Sequence, residues 1–315
     1  MQAQMLDLSQ RGKLAFTGSK ALWFLDQLVT NRVEDLPVGK GAEALLLTPK
    51  GRITALLRVL ATDISVLADV DGDARSLAEF FQGRVFSTGV SVTDISEEFS
   101  IFRLIGTQAG DVVSTVLELP TLPPEDHDIV SFWGGYITKV VQPAEGVDIW
   151  ARRDLAGGIV ESLAKAGVAE INAEDYESLR VTAGVPHYGV DFDESYLPQE
   201  AALERIVHFN KGCYLGQESV AMTQRGSAKR RLRHLHFDTS PILGSVRFQG
   251  NEVGAVTSTA HSEFGIATLK TTVELGSTVE VIGEGTEATA EVRELPNTTY
   301  GPSVPSAREL RERLK

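Results

Sequence analysis

Residues 19–60 read SKALWFLDQLVTNRVEDLPVGKGAEALLLTPKGRITALLRVL, and a change of period inside this stretch decides the fold class. Ala21, Phe24, Leu25 and Leu28 recur at i, i+3, i+4 and i+7, one apolar face of a helix over 19–29. From Glu43 two strand-like apolar runs flank Thr48-Pro49-Lys50-Gly51, whose proline and glycine suit a tight turn. A strand in ISVLADV follows, then a short helix from about Asp73 that stops at Gly83.

The same order recurs downstream. Phe99 to Ile105 is strand-like, Gly110 to Leu117 helical, and IVSFWGGYITKVV hairpin-like about Gly134-Gly135. VDIWAR is again strand-like, and Leu155 to Ala166 is a helix closed by Gly167. Helix onsets near 19 and 110 and turns near 50 and 135 give a pattern repeat without residue-level identity. Helix plus antiparallel strands, twice, predicts an α+β fold of two ferredoxin-like (split βαβ) modules, about 13–95 and 98–170, forming a cleft.

Asn172 reads as a helix N-cap with Asp175 three residues on, and Tyr176, Leu179 and Ala183 form the expected buried face before Gly184-Val185-Pro186. HYGVDFDESYLPQE (187–200) has the glycine, proline and carboxylates of a loop, the kind of segment that often carries function. From about 232, short alternating runs such as Val253/Ala255/Thr257 and Ala288/Ala290/Val292 predict a small β-barrel. The expected domains are 1–228, the two modules with the helix and loop of 172–228, and 229–315, the barrel with a charged tail from Ser306.

The chain has 315 residues, 30 Lys+Arg against 43 Asp+Glu, and a net charge of −13. That balance argues against wholesale electrostatic binding of nucleic acid. Cys213 is the only cysteine, so no internal disulfide and no Cys-built zinc or iron–sulfur site can form within one chain. The N-terminus lacks the basic start and apolar core of a secretory signal, and no uncharged apolar run approaches a membrane span of ~18 residues, so a cytoplasmic location is expected.

Gly283-Glu284-Gly285 sits between two β runs with no helix to receive a pyrophosphate, so it reads as a hairpin turn. His234 and His236 would share a strand face, but with no evident third ligand no metal is expected. RGSAKRRLR places Arg225, Lys229, Arg230, Arg231 and Arg233 together. The plain reading is a solvated connector; the sharper one is a phosphate-contacting patch for RNA or another polyanion.

The most specific segment is Lys211-Gly212-Cys213-Tyr214-Leu215-Gly216-Gln217-Glu218. Gly212 and Gly216 suit tight turns, and Lys211 places a cation near the thiol, which favours thiolate. Composition alone would make Cys213 a small buried hydrophobe. Upstream stand Arg180, Ala183-Gly184-Val185-Pro186, Tyr188-Gly189-Val190-Asp191 and Pro198-Gln199-Glu200; downstream stand Arg225-Gly226 and Lys229-Arg230. This ordered set closely resembles the YgfZ family, folate-binding relatives of the T-protein (aminomethyltransferase) of the glycine cleavage system. Residues 18–53 look like the opening of that superfamily and NEVGAVTSTAHS like its barrel, so the resemblance spans nearly the whole chain.

The resemblance implies a functional Cys213, supported by Lys211, within the signature Gly212, Tyr214, Gly216, Gln217 and Glu218. It implies tetrahydrofolate or a one-carbon derivative as ligand, with Asp191, Asn31, Arg180 and Tyr188 on the folate side. One carboxylate can accept a pterin ring N–H and the adjacent amino group as parallel hydrogen bonds, and Asp191 is expected to do so. The T-protein usually carries an acid where this chain has Thr182. It also follows its hairpin with aspartates, one implied to activate folate, whereas no Asp or Glu occurs here from Ala44 to Thr62. Loss of a positioned acid or base costs about 10²–10⁴ in rate, which disfavours aminomethyl transfer. Three functions are therefore carried forward. The first is a folate-binding accessory to iron–sulfur cluster assembly or repair in client enzymes, including tRNA-modifying ones; the others are an aminomethyltransferase and a non-catalytic docking module for protein or RNA.

Overall fold

The computed structural model describes residues 3–86, 88–225 and 228–296, apart from the side chains of 223–225. The tail from Ser306, Gly226 and the side chain of Arg225 lie outside the described residues.

After β1 (Gln4–Asp7), the first module runs β2 (Gly12–Thr17), α1 (Ala21–Asp26), β3 (Gly41–Leu47), β4 (Ile53–Ala61), β5 (Val66–Asp71), α2 (Ala74–Gln82) and β6 (Ser91–Asp94). The second runs β7 (Phe99–Ile105), α3 (Ala109–Val116), β8 (Ile129–Phe132), β9 (Gly135–Val140), β10 (Gly146–Arg152), α4 (Arg153–Lys165) and β11 (Ala169–Glu170). One sheet has the order β3-β4-β5-β2-β6 and the other β8-β9-β10-β7-β1-β11. The strand orders agree module for module, with β1 inserted beside β7, so the pattern repeat of the sequence is a repeat of topology.

Each module buries one sheet face under its own helices. Leu14, Phe16, Leu57, Phe24, Leu25 and Phe81 form the first core, in which the rings of Phe16 and Phe81 meet edge-on at 5.1 Å. Asp73 caps α2 by accepting from the Arg75 and Ser76 N–H groups. Leu104, Ile149, Val113, Ile159 and Leu163 fill the second core.

The opposite faces meet across Leu60, Leu67, Ile101, Ile129 and Trp150. Beside this apolar row lies an ionic one. Arg58 pairs with Asp69 at 2.7 Å and with Asp148 at 2.6 Å, and all three are at most 6% exposed. Arg103 binds Asp148, and Arg11 binds Asp69 and Asp71. Burial alone would raise the Asp148 carboxyl, but Arg103 and Arg58 outweigh it and hold it well below the usual carboxylate range. Lys13, fully buried, donates from Nζ to the Ser9 and Arg11 carbonyls at 2.9 and 2.8 Å.

α5 (Ala173–Thr182) and α6 (Gln217–Arg225) bracket the long loop, which holds one 3₁₀ turn at Glu204–Ile206. Asn172 caps α5 as its sequence predicts: its Oδ1 accepts from the Asp175 N–H and its Nδ2 donates to the Asp175 carboxylate, both at 2.8 Å. The buried face of α5 differs from expectation. Arg180 and Val181 are its buried residues, while Tyr176, Leu179 and Ala183 are only half-buried. Arg180 goes inside because its charge is matched there.

The remaining strands are β12 (Arg230–Phe237), β13 (Gly244–Phe248), β14 (Asn251–Thr259), β15 (Phe264–Lys270), β16 (Thr278–Ile282) and β17 (Glu287–Arg293). They close into a barrel in the order β12-β15-β14-β13-β16-β17 around Leu235, Val246, Leu269, Val281 and Val292. Gly285, at φ +71°, lies in the β16–β17 turn, so the glycine pair is a hairpin connection. By contacts the chain forms two compact units, Met1–Leu46 with Ala55–Tyr176, and Leu47–Thr54 with Glu177–Lys315. The barrel's first strand starts at Arg230, while the unit boundary falls at 176/177 and also takes in the β3–β4 hairpin tip. No described helix is long and apolar enough to cross a membrane.

Candidate functional site

The second unit brings the hairpin tip, the 187–200 loop and the signature segment together. Gly216, at φ +83°, lies so close to the tip that an added Cβ would stand 2.5 Å from the Thr48 carbonyl oxygen and 3.1 Å from Gly51 Cα. Gly51 is equally confined, its absent Cβ being 2.8 Å from Ser219 Cβ. Glycine is thus required at both ends of this contact. Gly212 differs from its expected role: its φ is not left-handed and nothing lies within 4 Å of where a Cβ would project.

The segment between Gly212 and Gly216 presents Cys213, which is exposed and is the chain's single thiol. Tyr214 beside it is buried, and that burial pushes its hydroxyl up to about 12. Lys211 Nζ lies over the Tyr214 ring, 5.6 Å from its centroid. Gln217 opens α6, and Glu218 on its first turn is exposed.

Glu200 ties the pieces together. Its Oε2 accepts from Arg52 Nη1 at 3.1 Å and from the Leu197 N–H at 3.0 Å, with Arg230 Nε at 3.5 Å. The Ile53 N–H donates to the Tyr196 carbonyl at 3.0 Å, and the Tyr188 hydroxyl donates to the Thr54 carbonyl at 3.1 Å. Gln199 Nε2 donates to the Val220 carbonyl in α6 at 3.1 Å. Pro198-Gln199-Glu200 enters the sequence reading only through the resemblance, and the signal for its partner is Arg52, a charge on an acid-free hairpin.

Asp191 is 1% exposed and already holds four donors. Oδ2 accepts from Arg180 Nη1 at 2.6 Å and from the His187 N–H at 2.9 Å; Oδ1 accepts from the Thr257 and Ser258 hydroxyls, each at 2.6 Å. A carboxylate offers about four lone-pair directions, so these donors leave none for a pterin. Asp191 is a structural anchor in this geometry. Arg180 is spent in the same network, donating also to Glu177, to the Val185 carbonyl and to Ser258. His187, whose Nδ1 lies 3.8 Å from Oε1, and Arg180 hold the Glu177 carboxyl down at about 2. Thr182, where the T-protein usually has an acid, is exposed, and its hydroxyl lies 3.0 Å from that of Ser262. Asn31 belongs to the first unit, where Nδ2 donates to the Glu43 carbonyl at 2.8 Å.

The basic connector does not stand free as a phosphate patch. Arg231 pairs with Glu204 and Glu294, and Arg233 with Glu294 at 2.6 Å. Arg230 stacks 3.8 Å over the Tyr196 ring and donates to Ser195. These residues form barrel strand β12, so the polyanion reading loses three of its cations to internal partners; Lys229 is exposed. His234 is buried with Nε2 on the Val181 carbonyl at 2.9 Å and its ring stacked on Phe264, while His236 Nδ1 takes an Arg293 N–H. Among the described residues no group of three or more His, Cys, Asp or Glu could hold a metal.

Comparison with known proteins agrees with this architecture. Residues 1–139 match the model of the GCVT N-terminal domain. A chloroplastic protein of Arabidopsis thaliana named as a transferase is 27% identical over 308 residues, covering 93% of this chain and 70% of the relative. The aminomethyltransferase of Rippkaea orientalis is 25% identical over 280 residues (81% and 73%) and that of Listeria monocytogenes 24% over 302 (89% and 82%). The crystal structure of the glycine cleavage system aminomethyltransferase T from Bartonella henselae superimposes with a TM-score of 0.86 at 21% identity, over 93% of this chain and 86% of that one. The fold is that of GcvT-like proteins. The sequence matches support the GcvT-like superfamily.

Proposed function

We propose that this chain is a YgfZ-like, tetrahydrofolate-binding accessory protein supporting iron–sulfur cluster assembly or repair in client enzymes, with Cys213 as its working thiol. The observation that carries the reading is the signature loop, which offers the chain's one exposed thiol and is seated by Gly216 against a hairpin tip without carboxylates. The same acid-free tip disfavours an aminomethyltransferase: its Arg52 is occupied by Glu200, and no Asp or Glu lies between Ala44 and Thr62. Folate enters through the resemblance and through relatives named as aminomethyltransferases. Asp191, already filled by four donors, does not fit as its pterin acceptor.

Two measurements test the proposal. A folded Cys213→Ala variant is expected to fail to restore client cluster enzymes in cells lacking this protein; restoration equal to wild type would overturn the thiol's role. Calorimetric titration of tetrahydrofolate into wild type is expected to show saturable heat. Its absence would mean that the scaffold persists without the ligand and would favour the docking-module reading.

A further inference from the structure

We infer that Gln199 and Glu200 are positioning residues that set the loop carrying Cys213, a role that rests on Cys213 being the working thiol. The loop from Val207 to Gly216 has no regular secondary structure of its own, so its geometry is set by what its C-terminal end is seated on. On the C-terminal side Gln199, buried, grips α6 through the Val220 carbonyl, one turn after Gly216. Across the Gly216–Gly51 contact Glu200, 7% exposed, grips the hairpin tip through Arg52, and the tip is the surface on which Gly216 is seated. Consecutive residues thus hold both partners of the Gly216–Gly51 contact.

Their own backbone is fixed by the barrel. The Leu232 N–H donates to the Glu200 carbonyl at 2.8 Å, and Arg231 Nη1 donates to the Gln199 carbonyl at 3.1 Å. Tyr196, just upstream, shares a 2.7 Å hydrogen bond with Thr268 of β15. A rigid strand pair therefore supports the clamp, and the clamp supports the loop. Glu200 is charged and buried with a half-exposed Arg52, so removing the charge weakens the tip's attachment more than it empties a core.

The test uses the full chain, in which iodoacetamide reads Cys213 alone because no other cysteine is present. Glu200→Gln and, as a milder partner at the exposed end, Arg52→Gln are each expected to raise the Cys213 alkylation rate and the hydrogen exchange of residues 211–216 at least threefold. Glu200→Asp, which keeps the charge, is expected to stay within about 1.5-fold of wild type. Lower melting temperatures with both rates unchanged would show a merely structural role and overturn the inference. If Cys213→Ala abolishes client activity while the glutamate and arginine variants leave the loop rates unchanged, the clamp fails and the thiol's role stands. If the loop rates move but Cys213→Ala keeps full client activity, the clamp stands and the proposed function is at fault.

Discussion

Gly216 and Gly51 face each other backbone to backbone, with room for a Cβ on neither. The contact joins the signature loop to the β3–β4 hairpin tip, which explains why a glycine stands three residues after Cys213. Gly216→Ala would combine a left-handed φ of +83° with a 2.5 Å approach to the Thr48 carbonyl oxygen. Strain of this kind costs about 1–3 kcal/mol. Urea denaturation should show a loss in that range for Gly216→Ala and a change within about 0.5 kcal/mol for Gly212→Ala, whose site is open. Equal effects at the two positions would refute the seat.

Asp191 separates two roles by the size of its substitution effect. A solvent-facing carboxylate kept for a ligand would tolerate Asn within about 0.5 kcal/mol. Here Asn would turn its NH2 either toward the Arg180 and His187 donors or toward the Thr257 and Ser258 hydroxyls, and in either orientation Arg180 keeps Glu177 as its one carboxylate partner. Removing one partner of a buried pair costs about 3–5 kcal/mol, and Asp191→Asn should lower the unfolding free energy by that order. A stability close to wild type would restore the carboxylate to the ligand side.

The architecture was legible where local period carries it. The helix at Ala21, Phe24 and Leu25, the turn at Pro49-Lys50-Gly51 and the alternation around Val253 each announce an element without distant information. The site was less legible because its decisive partners are remote. Asp191 meets Thr257 and Ser258, 66 and 67 residues downstream, and Arg231 meets Glu294, 63 residues downstream. Nothing local distinguishes a carboxylate filled by such partners from an open one, or a paired arginine from a free cation. The buried face of α5 departs from the spacing of Tyr176, Leu179 and Ala183 for the same reason, since an apolar-face rule cannot anticipate Arg180, a charge buried against another buried charge.

The ionic row between the two module sheets should set the acid limit of the fold. Asp148 and Asp69 titrate below the ordinary carboxylate value of 3.8 because Arg103 and Arg58, and Arg58 and Arg11, respectively, outweigh their burial. A depressed folded pKa means the unfolded chain binds protons first, so the stabilisation is present above about pH 3.8 and is lost as pH falls further. Circular dichroism against pH should place a cooperative loss of structure below pH 4 in wild type. Asp148→Ala, which leaves Arg58 and Arg103 short of a counter-charge, should cost about 3–5 kcal/mol at pH 7. Unchanged neutral-pH stability in that variant would mean the row contributes nothing net.

His234 should govern a milder acid response at higher pH. Burial lowers its pKa below 6.5, its Nε2 is committed to donating to the Val181 carbonyl, and the nearby Arg293 and His236 oppose a second charge. Glu263, just before β15, faces His236, and Glu291, two residues before Arg293 on β17, pairs with Arg293; these carboxylates are not paired with His234. The unfolded imidazole therefore takes up its proton first as pH falls. Stability from this group is fully present above about pH 6.5 and declines as pH drops through the lower folded value. Between pH 7 and pH 5 the wild type should lose more unfolding free energy than His234→Gln, which keeps a side-chain donor for the Val181 carbonyl but cannot protonate. Parallel pH profiles for the two proteins would show that another group carries the effect.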